Sequence, residues 1–281
     1  MDEMPVGVMT WVFGDPFTAV KLAQEVGVRT MQLGCPPEKY YSGEELHKFK
    51  NFVKLSGIRV TMVFCGFEGE NYADMNSIRD TVGFRNPTLR TDRIEKTSRI
   101  SDFAKKLDVN AVAAHIGFIP EDPTDPAFNE MVEVVRKIAD YCAKNGQYFV
   151  LETGQESART LARFIETVGR GNVRVNFDPA NMLYYGSGDP IEALETLNQY
   201  VIGVHCKDVK MPRGSQRAIE EVPFGEGNVG ADRFIRKLNE IGYKGPLTIE
   251  REVTDLQSQI RDMTNVKVTI EKLKENLTSA H

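Results

Sequence analysis

Along this chain, short runs rich in apolar and β-branched residues alternate with longer stretches in which apolar positions recur every three or four residues, and the order persists from end to end. The first pattern predicts buried strands and the second predicts amphipathic helices. Eight strands are expected, at 6–10, 30–33, 59–64, 111–115, 148–152, 174–178, 202–206 and 247–250. Strands alternating with helices pack as a parallel sheet covered by helices, and eight such units close into a (β/α)8 TIM barrel of the α/β class. An open doubly wound sheet is the alternative. Barrels of this kind reach about 250 residues as one unit, so a single domain spanning 1–281 is expected.

Punctuation supports the same division. Asp15-Pro16, Asp125-Pro126 and Asp189-Pro190 each offer an N-cap carboxylate followed by proline at the first helical position, where the missing amide hydrogen costs nothing. Gly27, Gly57, Gly146 and Gly242 fall between a helical pattern and the next strand, the place for a left-handed residue. A final helix over 255–277 would put Leu256, Ile260, Met263, Ile270, Leu273 and Leu277 on one face and close the barrel. Two connections are long, 66–87 and 207–228. Both follow the C-terminal ends of strands, where barrels build their sites, and both are candidate lids.

Composition narrows the partners. With 41% hydrophobic and 27% charged residues the chain can fill a large core. Its apolar runs, such as 111–114 and 149–151, are far too short to cross a bilayer, and the N-terminus opens with acidic residues, so a cytoplasmic location without membrane contact is expected. The 35 basic and 40 acidic residues leave a net charge of −5, which disfavours nucleic acid as a partner. The four cysteines show no CxxC spacing and read as buried thiols.

Four consecutive predicted strands end in a metal-competent side chain: Glu152 in Val-Leu-Glu-Thr-Gly, Asp178 in Asn-Phe-Asp-Pro, His205 in Val-His-Cys-Lys-Asp, and Glu250 in Thr-Ile-Glu-Arg-Glu. They are 26, 27 and 45 residues apart, one βα unit for each of the first two steps and a unit plus the long connection for the third. One carboxylate at a strand end is more often a surface or ion-pair group. Four at equivalent ends converge on the axis at one rim, and three ionised carboxylates cannot share that space without a compensating cation. The oxygen-rich set with one imidazole suits a single divalent ion, Mn²⁺ first, then Mg²⁺ or Co²⁺, with Zn²⁺ also allowed.

These segments, with Leu-Glu-Thr-Gly from 151, Asn-Phe-Asp-Pro-Ala-Asn from 176, His-Cys-Lys-Asp from 205, Pro-Phe-Gly-Glu-Gly-Asn-Val from 223 and Ile-Glu-Arg-Glu from 249, resemble the xylose isomerase-like barrels. That family includes ketose 3-epimerases, hydroxypyruvate isomerase and inosose dehydratase, and the resemblance covers nearly the whole chain. It implies that Glu152, Asp178, His205 and Glu250 hold the metal, that Glu152 and Glu250 are the catalytic proton-transfer groups, and that the substrate is a small polyhydroxy carbonyl compound. Proton movement through an enediolate would give isomerisation or epimerisation, and loss of a β-hydroxyl would give dehydration. The chain departs from the ketose epimerases at Ala158, where they carry glutamate, at Met211, where they carry arginine, and at Asn181, where they carry histidine. Glu156, Arg213 or Arg217 could replace those contacts. The departures direct the reading toward a different hydroxy-carbonyl compound, phosphorylated ones included.

Further candidates for the substrate-binding wall are His115 at the end of the fourth strand, Trp11 after the first, Asn181, and Lys207 and Asp208 after the histidine. Glu226 stands between two glycines that let backbone approach the site, and Arg217, with Arg213 and Lys210, could grip a phosphate. Each has a plainer explanation: core histidine, barrel packing, a Lys–Asp ion pair, a turn, a solvated basic loop. His47 and His281 are expected to be bystanders. Two other functions are weighed, an apurinic-site endonuclease, which needs three zinc ions and many histidines where this chain has 4, and a metal-binding subunit without turnover. A homo-oligomer is also expected as a possibility of the fold.

Overall fold

The computed structural model describes residues 3–11, 14–212 and 218–278. Its barrel strands are β1 (Val6–Thr10), β2 (Thr30–Gly34), β3 (Arg59–Phe64), β4 (Ala111–Ala114), β5 (Tyr148–Glu152), β6 (Val173–Phe177), β7 (Val201–Cys206) and β10 (Leu247–Ile249). They are ordered β1-β10-β7-β6-β5-β4-β3-β2 and closed. Every neighbouring pair is parallel, and the first and last strands meet through Val6↔Leu247, Gly7↔Thr248 and Val8↔Ile249. That closure excludes the open doubly wound sheet. The expected strand ends shift by one residue at several places, so His115, Asp178 and Glu250 sit immediately beyond the hydrogen-bonded ladder.

Strand alternation divides the core in two. Outward residues such as Val63, Val112, Leu151, Val175, Val204 and Ile249 pack under the helices, whereas Met9, Met62, Phe64, Ala111, Ala113 and Val150 fill the barrel interior. The same parity carried two residues onward places Trp11, His115, Glu152, Asp178, His205 and Glu250 inward, at one rim. The surrounding helices obey the 3.6-residue period. In α6 (Ala158–Val168), Ala158, Leu161, Phe164, Ile165 and Val168 are buried, the spacing that one helical face requires.

The Asp-Pro starts behave as expected: Asp15, Asp125 and Asp189 each accept backbone amides at the starts of α1 (Pro16–Val26), α5 (Pro126–Lys144) and α8 (Pro190–Leu197). The closing helix, α10 (Leu256–Thr278), packs on α1, β1, β10 and α9 (Ala231–Glu240). Met263, Val266 and Ile270 are buried in that contact, while Leu256, expected on the inner face, is 40% exposed. All four cysteines are free thiols, and Cys65, Cys142 and Cys206 are buried. No helix among the described residues is long and apolar enough to cross a membrane.

Neither long connection is a bare loop. The first contains α3 (Met75–Thr81) and is tied to α4 (Arg90–Lys106) by Arg93, 4% exposed. The Arg93 guanidinium donates to the carbonyls of Thr81 at 2.7 Å, of Gly83, and of Glu68 at 3.4 Å. It also lies 5.2 Å from the Phe67 ring centroid. The second connection folds into an antiparallel pair, β8 (Asp208–Lys210) with β9 (Glu220–Val222). The described parts of both segments thus carry hydrogen-bonded structure at the rim.

Candidate metal centre

Glu152 ends β5, Asp178 follows β6, His205 lies in β7 and Glu250 follows β10. All four are buried, and one ligand atom of each lies within 4.8 Å of the others. His205 Nδ1 is 2.9 Å from Glu152 Oε1, 3.0 Å from Glu250 Oε2 and 3.5 Å from Asp178 Oδ2. Despite these distances, Glu152 Oε1, Asp178 Oδ2 and His205 Nδ1 have no aligned hydrogen-bond partner. Buried polar atoms are almost always paired. Three orphaned polar atoms aimed at one point, with the Glu250 carboxylate beside them, are the arrangement a divalent cation satisfies once the imidazole is neutral, and the donor set fits one.

Local structure explains the aim. Asp178 begins α7 (Pro179–Tyr185), and its Oδ1 caps that helix by accepting from the amides of Ala180 at 2.8 Å and Asn181 at 2.9 Å. Only Oδ2 is left for the centre. Glu152 is likewise divided: Oε2 accepts from Asn176 Nδ2 at 2.8 Å, and Oε1 faces inward. His205 Nε2 meets Gln32 Oε1 at 2.7 Å, so Nδ1 is the nitrogen facing the carboxylates.

Charge is finely opposed here. Burial alone would strip the proton from His205, but Glu152, Glu250 and Asp178 outweigh it and push its pKa well above the usual histidine range. Burial would raise Glu250, yet Lys207 and His205 pull it well below the ordinary carboxylate value. Lys207 is itself buried, with Nζ 3.3 Å from Glu250 Oε2 and 2.8 Å from Glu252 Oε1. Burial acts against its charge, and Glu250 and Glu252 hold that charge well above the ordinary lysine range.

Above the cluster opens a cavity of about 950 Å³, with Glu250 in its lining. Of the expected substrate-binding residues, Trp11, His115, Asn181 and Lys207 line it. Trp11 packs edge-on to Phe64 at 6.2 Å, and His115 meets Tyr72 at 6.0 Å.

Asp208 does not line the cavity. It is fully buried, with Oδ1 accepting from Val209 and Val229 amides and Oδ2 from Gly225 and Gly227 amides, at 2.9–3.1 Å. Its expected substrate role gives way to a structural one, because both oxygens are already saturated. Gly227 is required there, since a Cβ would lie 2.2 Å from Asp208 Oδ1. Glu226 is correspondingly the exposed tip of the turn, outside the cavity lining. Glu156 is buried and away from the cavity lining, and Lys210 is exposed on β8. Arg213, Arg217 and His281 lie outside the described residues.

Sequence reasoning missed Gln32, Asn176, Glu221 and Glu252. The first two carried a signal: each is a polar residue at an inward position of an otherwise apolar strand.

A family model described as xylose isomerase-like TIM barrel matches residues 20–275. The crystal structure of a xylose isomerase domain protein from Planctomyces limnophilus is 39% identical, with a TM-score of 0.93 over 99% of this chain and 100% of that one. An uncharacterized protein of Methanocaldococcus jannaschii is 29% identical over 213 residues, 68% of this chain and 66% of its own length. Inosose dehydratase of Geobacillus kaustophilus is 27% identical over 146 residues, 46% of this chain and 47% of that enzyme. The matches to the two curated relatives thus span less than two thirds of their lengths.

Proposed function

We propose, from the premise that the chain belongs to the xylose isomerase-like TIM-barrel family, that it is a divalent-metal-dependent isomerase or epimerase moving a proton on a small polyhydroxy carbonyl compound. The observation that carries this reading is the convergence of buried, unpartnered Glu152 Oε1, Asp178 Oδ2 and His205 Nδ1, beside Glu250, beneath an open cavity. When bound, a divalent ion would act as a Lewis acid, lowering the cost of negative charge on a substrate carbonyl.

The protein's own groups supply the proton transfer. Glu152 and Glu250 stand on strands three places apart in the eight-stranded ring, so they approach the centre from nearly opposite sides. One carboxylate takes the proton next to the carbonyl, and the other returns one to the opposite face for an epimerisation. Lys207, 3.3 Å from Glu250 Oε2, holds Glu250 ionised and able to accept a proton. Lys207, Asn181 and His115 offer hydrogen-bonding groups to substrate hydroxyls, and Trp11 supplies an apolar wall.

Elimination of water is a second reading, favoured by the similarity to inosose dehydratase. The test is incubation of the Mn²⁺-loaded protein in D₂O with ketoses, ketose phosphates, inososes and hydroxypyruvate, with and without chelator. Solvent deuterium should enter at least one hydroxy ketone, and Glu152→Gln or Glu250→Gln should slow entry by about 10²-fold or more. Exchange together with loss of water would assign the dehydratase reading. Absence of exchange across the panel, or exchange indifferent to both variants, would overturn the proton-transfer assignment.

A further inference from the structure

Gln32 and Asn176 lie inside the barrel, 2% and 0% exposed. Four side chains form a chain of contacts there: Glu152 Oε2 to Asn176 Nδ2 at 2.8 Å, Asn176 Oδ1 to Gln32 Nε2 at 2.9 Å, and Gln32 Oε1 to His205 Nε2 at 2.7 Å. Its direction is fixed at one end. An ionised carboxylate only accepts, so the Asn176 group facing Glu152 is its NH₂, and its oxygen turns to Gln32. Gln32 must then present its own NH₂ to Asn176 and its oxygen to the imidazole. A carbonyl oxygen also only accepts, so His205 Nε2 carries a hydrogen.

We propose that Gln32 and Asn176 are positioning residues that set the neutral His205 ring as its Nε2–H tautomer and aim the Nδ1 lone pair at the divalent ion. This rests on reading Glu152, Asp178, His205 and Glu250 as the metal ligands. The relay couples two of those ligands, Glu152 and His205, so that orienting one orients the other. The barrel makes room for it. Glu152 and Asn176 are paired across β5 and β6, and Asn176 is paired with Gly203 on β7. A Cβ on Gly203 would lie 2.4 Å from Asn176 Oδ1 and 3.2 Å from Gln32 Nε2, so any side chain there would displace the Asn176–Gln32 bond. Outer hydrogen bonds of this kind tune metal affinity by about 10–100-fold.

Mn²⁺ affinity measured calorimetrically, and ¹⁵N–¹H spectra of the imidazoles in the Zn²⁺-loaded protein, test the relay. The wild type should show a slowly exchanging Nε2 proton on His205. Gln32→Leu should weaken Mn²⁺ binding about tenfold or more and lose that protected proton, and the unpartnered Asn176 Oδ1 should also lower the metal-free melting temperature. Gln32→Glu keeps an acceptor for Nε2–H but sets a second acceptor against Asn176 Oδ1, so it should keep the protected proton without restoring full Mn²⁺ affinity. Gly203→Ala, which deletes no polar group, should weaken binding in the same direction. Mn²⁺ affinity unchanged in Gln32→Leu, loss of the protected proton in Gln32→Glu, or a wild-type His205 without a protected Nε2 proton would overturn the relay. Should Gln32→Leu fail to fold, the wild-type spectrum and Gly203→Ala decide. A wild type that binds no Mn²⁺ would instead overturn the metal reading on which the relay rests.

Discussion

Asp178 shows how one side chain serves fold and site together, with Oδ1 capping α7 and Oδ2 facing the centre. The two duties can be separated. Asp178→Asn retains an oxygen for the cap and removes the negative charge, so it should keep wild-type metal-free stability while losing most Mn²⁺ affinity. Asp178→Ala should lose both, with an additional stability cost of about 1 kcal/mol from the missing cap. Calorimetric titration and thermal melts distinguish them, and equal metal-free melting temperatures for the two variants would contradict the division.

Glu156 gives a pH-dependent expectation. Burial, with Glu121 nearby, pushes its pKa from the ordinary 4.5 up to about 8. The folded state therefore holds a proton that the unfolded chain releases from about pH 4.5 upward. Stability from this group is fully present below 4.5 and is lost as pH rises through about 8. Glu156→Gln should melt at about the wild-type temperature at pH 4 and gain ~2 kcal/mol or more over it at pH 9. A gain independent of pH would contradict the assignment. Residues such as Glu156 and Asp208 were legible in the sequence as chemically capable, but not in their surroundings. Asp208 lies just past His205 at a strand end, as a substrate contact would, yet three backbone amides of the 225–229 turn and that of Val209 occupy it.

At the scale of elements, the expected strands and capped helices were legible because each has a local cause: a hydrophobic period, an Asp-Pro start, a glycine at a left-handed stop. The two long connections lacked a hydrophobic period, although α3 does begin at an Asp74 N-cap. α3 and the β8–β9 pair are short and are held by tertiary contacts, above all Arg93 for 66–87 and Asp208 for 223–229. Arg93→Ala leaves the carbonyls of Thr81 and Gly83 without their donor, so it should cost about 2–3 kcal/mol and speed amide hydrogen exchange across 66–87 relative to the barrel strands. Exchange spreading evenly over the molecule would argue that Arg93 supports the whole fold and not this segment.

Across the whole molecule, the site follows from parity and closure. Inward positions alternate along every strand, and closing eight strands brings the last inward residues of β5, β6, β7 and β10 to one rim. That convergence could be read from the spacing of Glu152, Asp178, His205 and Glu250. The Gln32–Asn176 chain could not, because it depends on which strands face each other across the interior, a property of the ring and not of any segment.

The most direct measurement is anomalous diffraction from crystals of the wild-type protein grown with Mn²⁺. A single strong peak about 2.0–2.3 Å from Glu152 Oε1, Asp178 Oδ2, His205 Nδ1 and a Glu250 carboxylate oxygen is the predicted result. A well-ordered cluster at saturating Mn²⁺ with no peak among those atoms, or a peak held by other side chains, would contradict it.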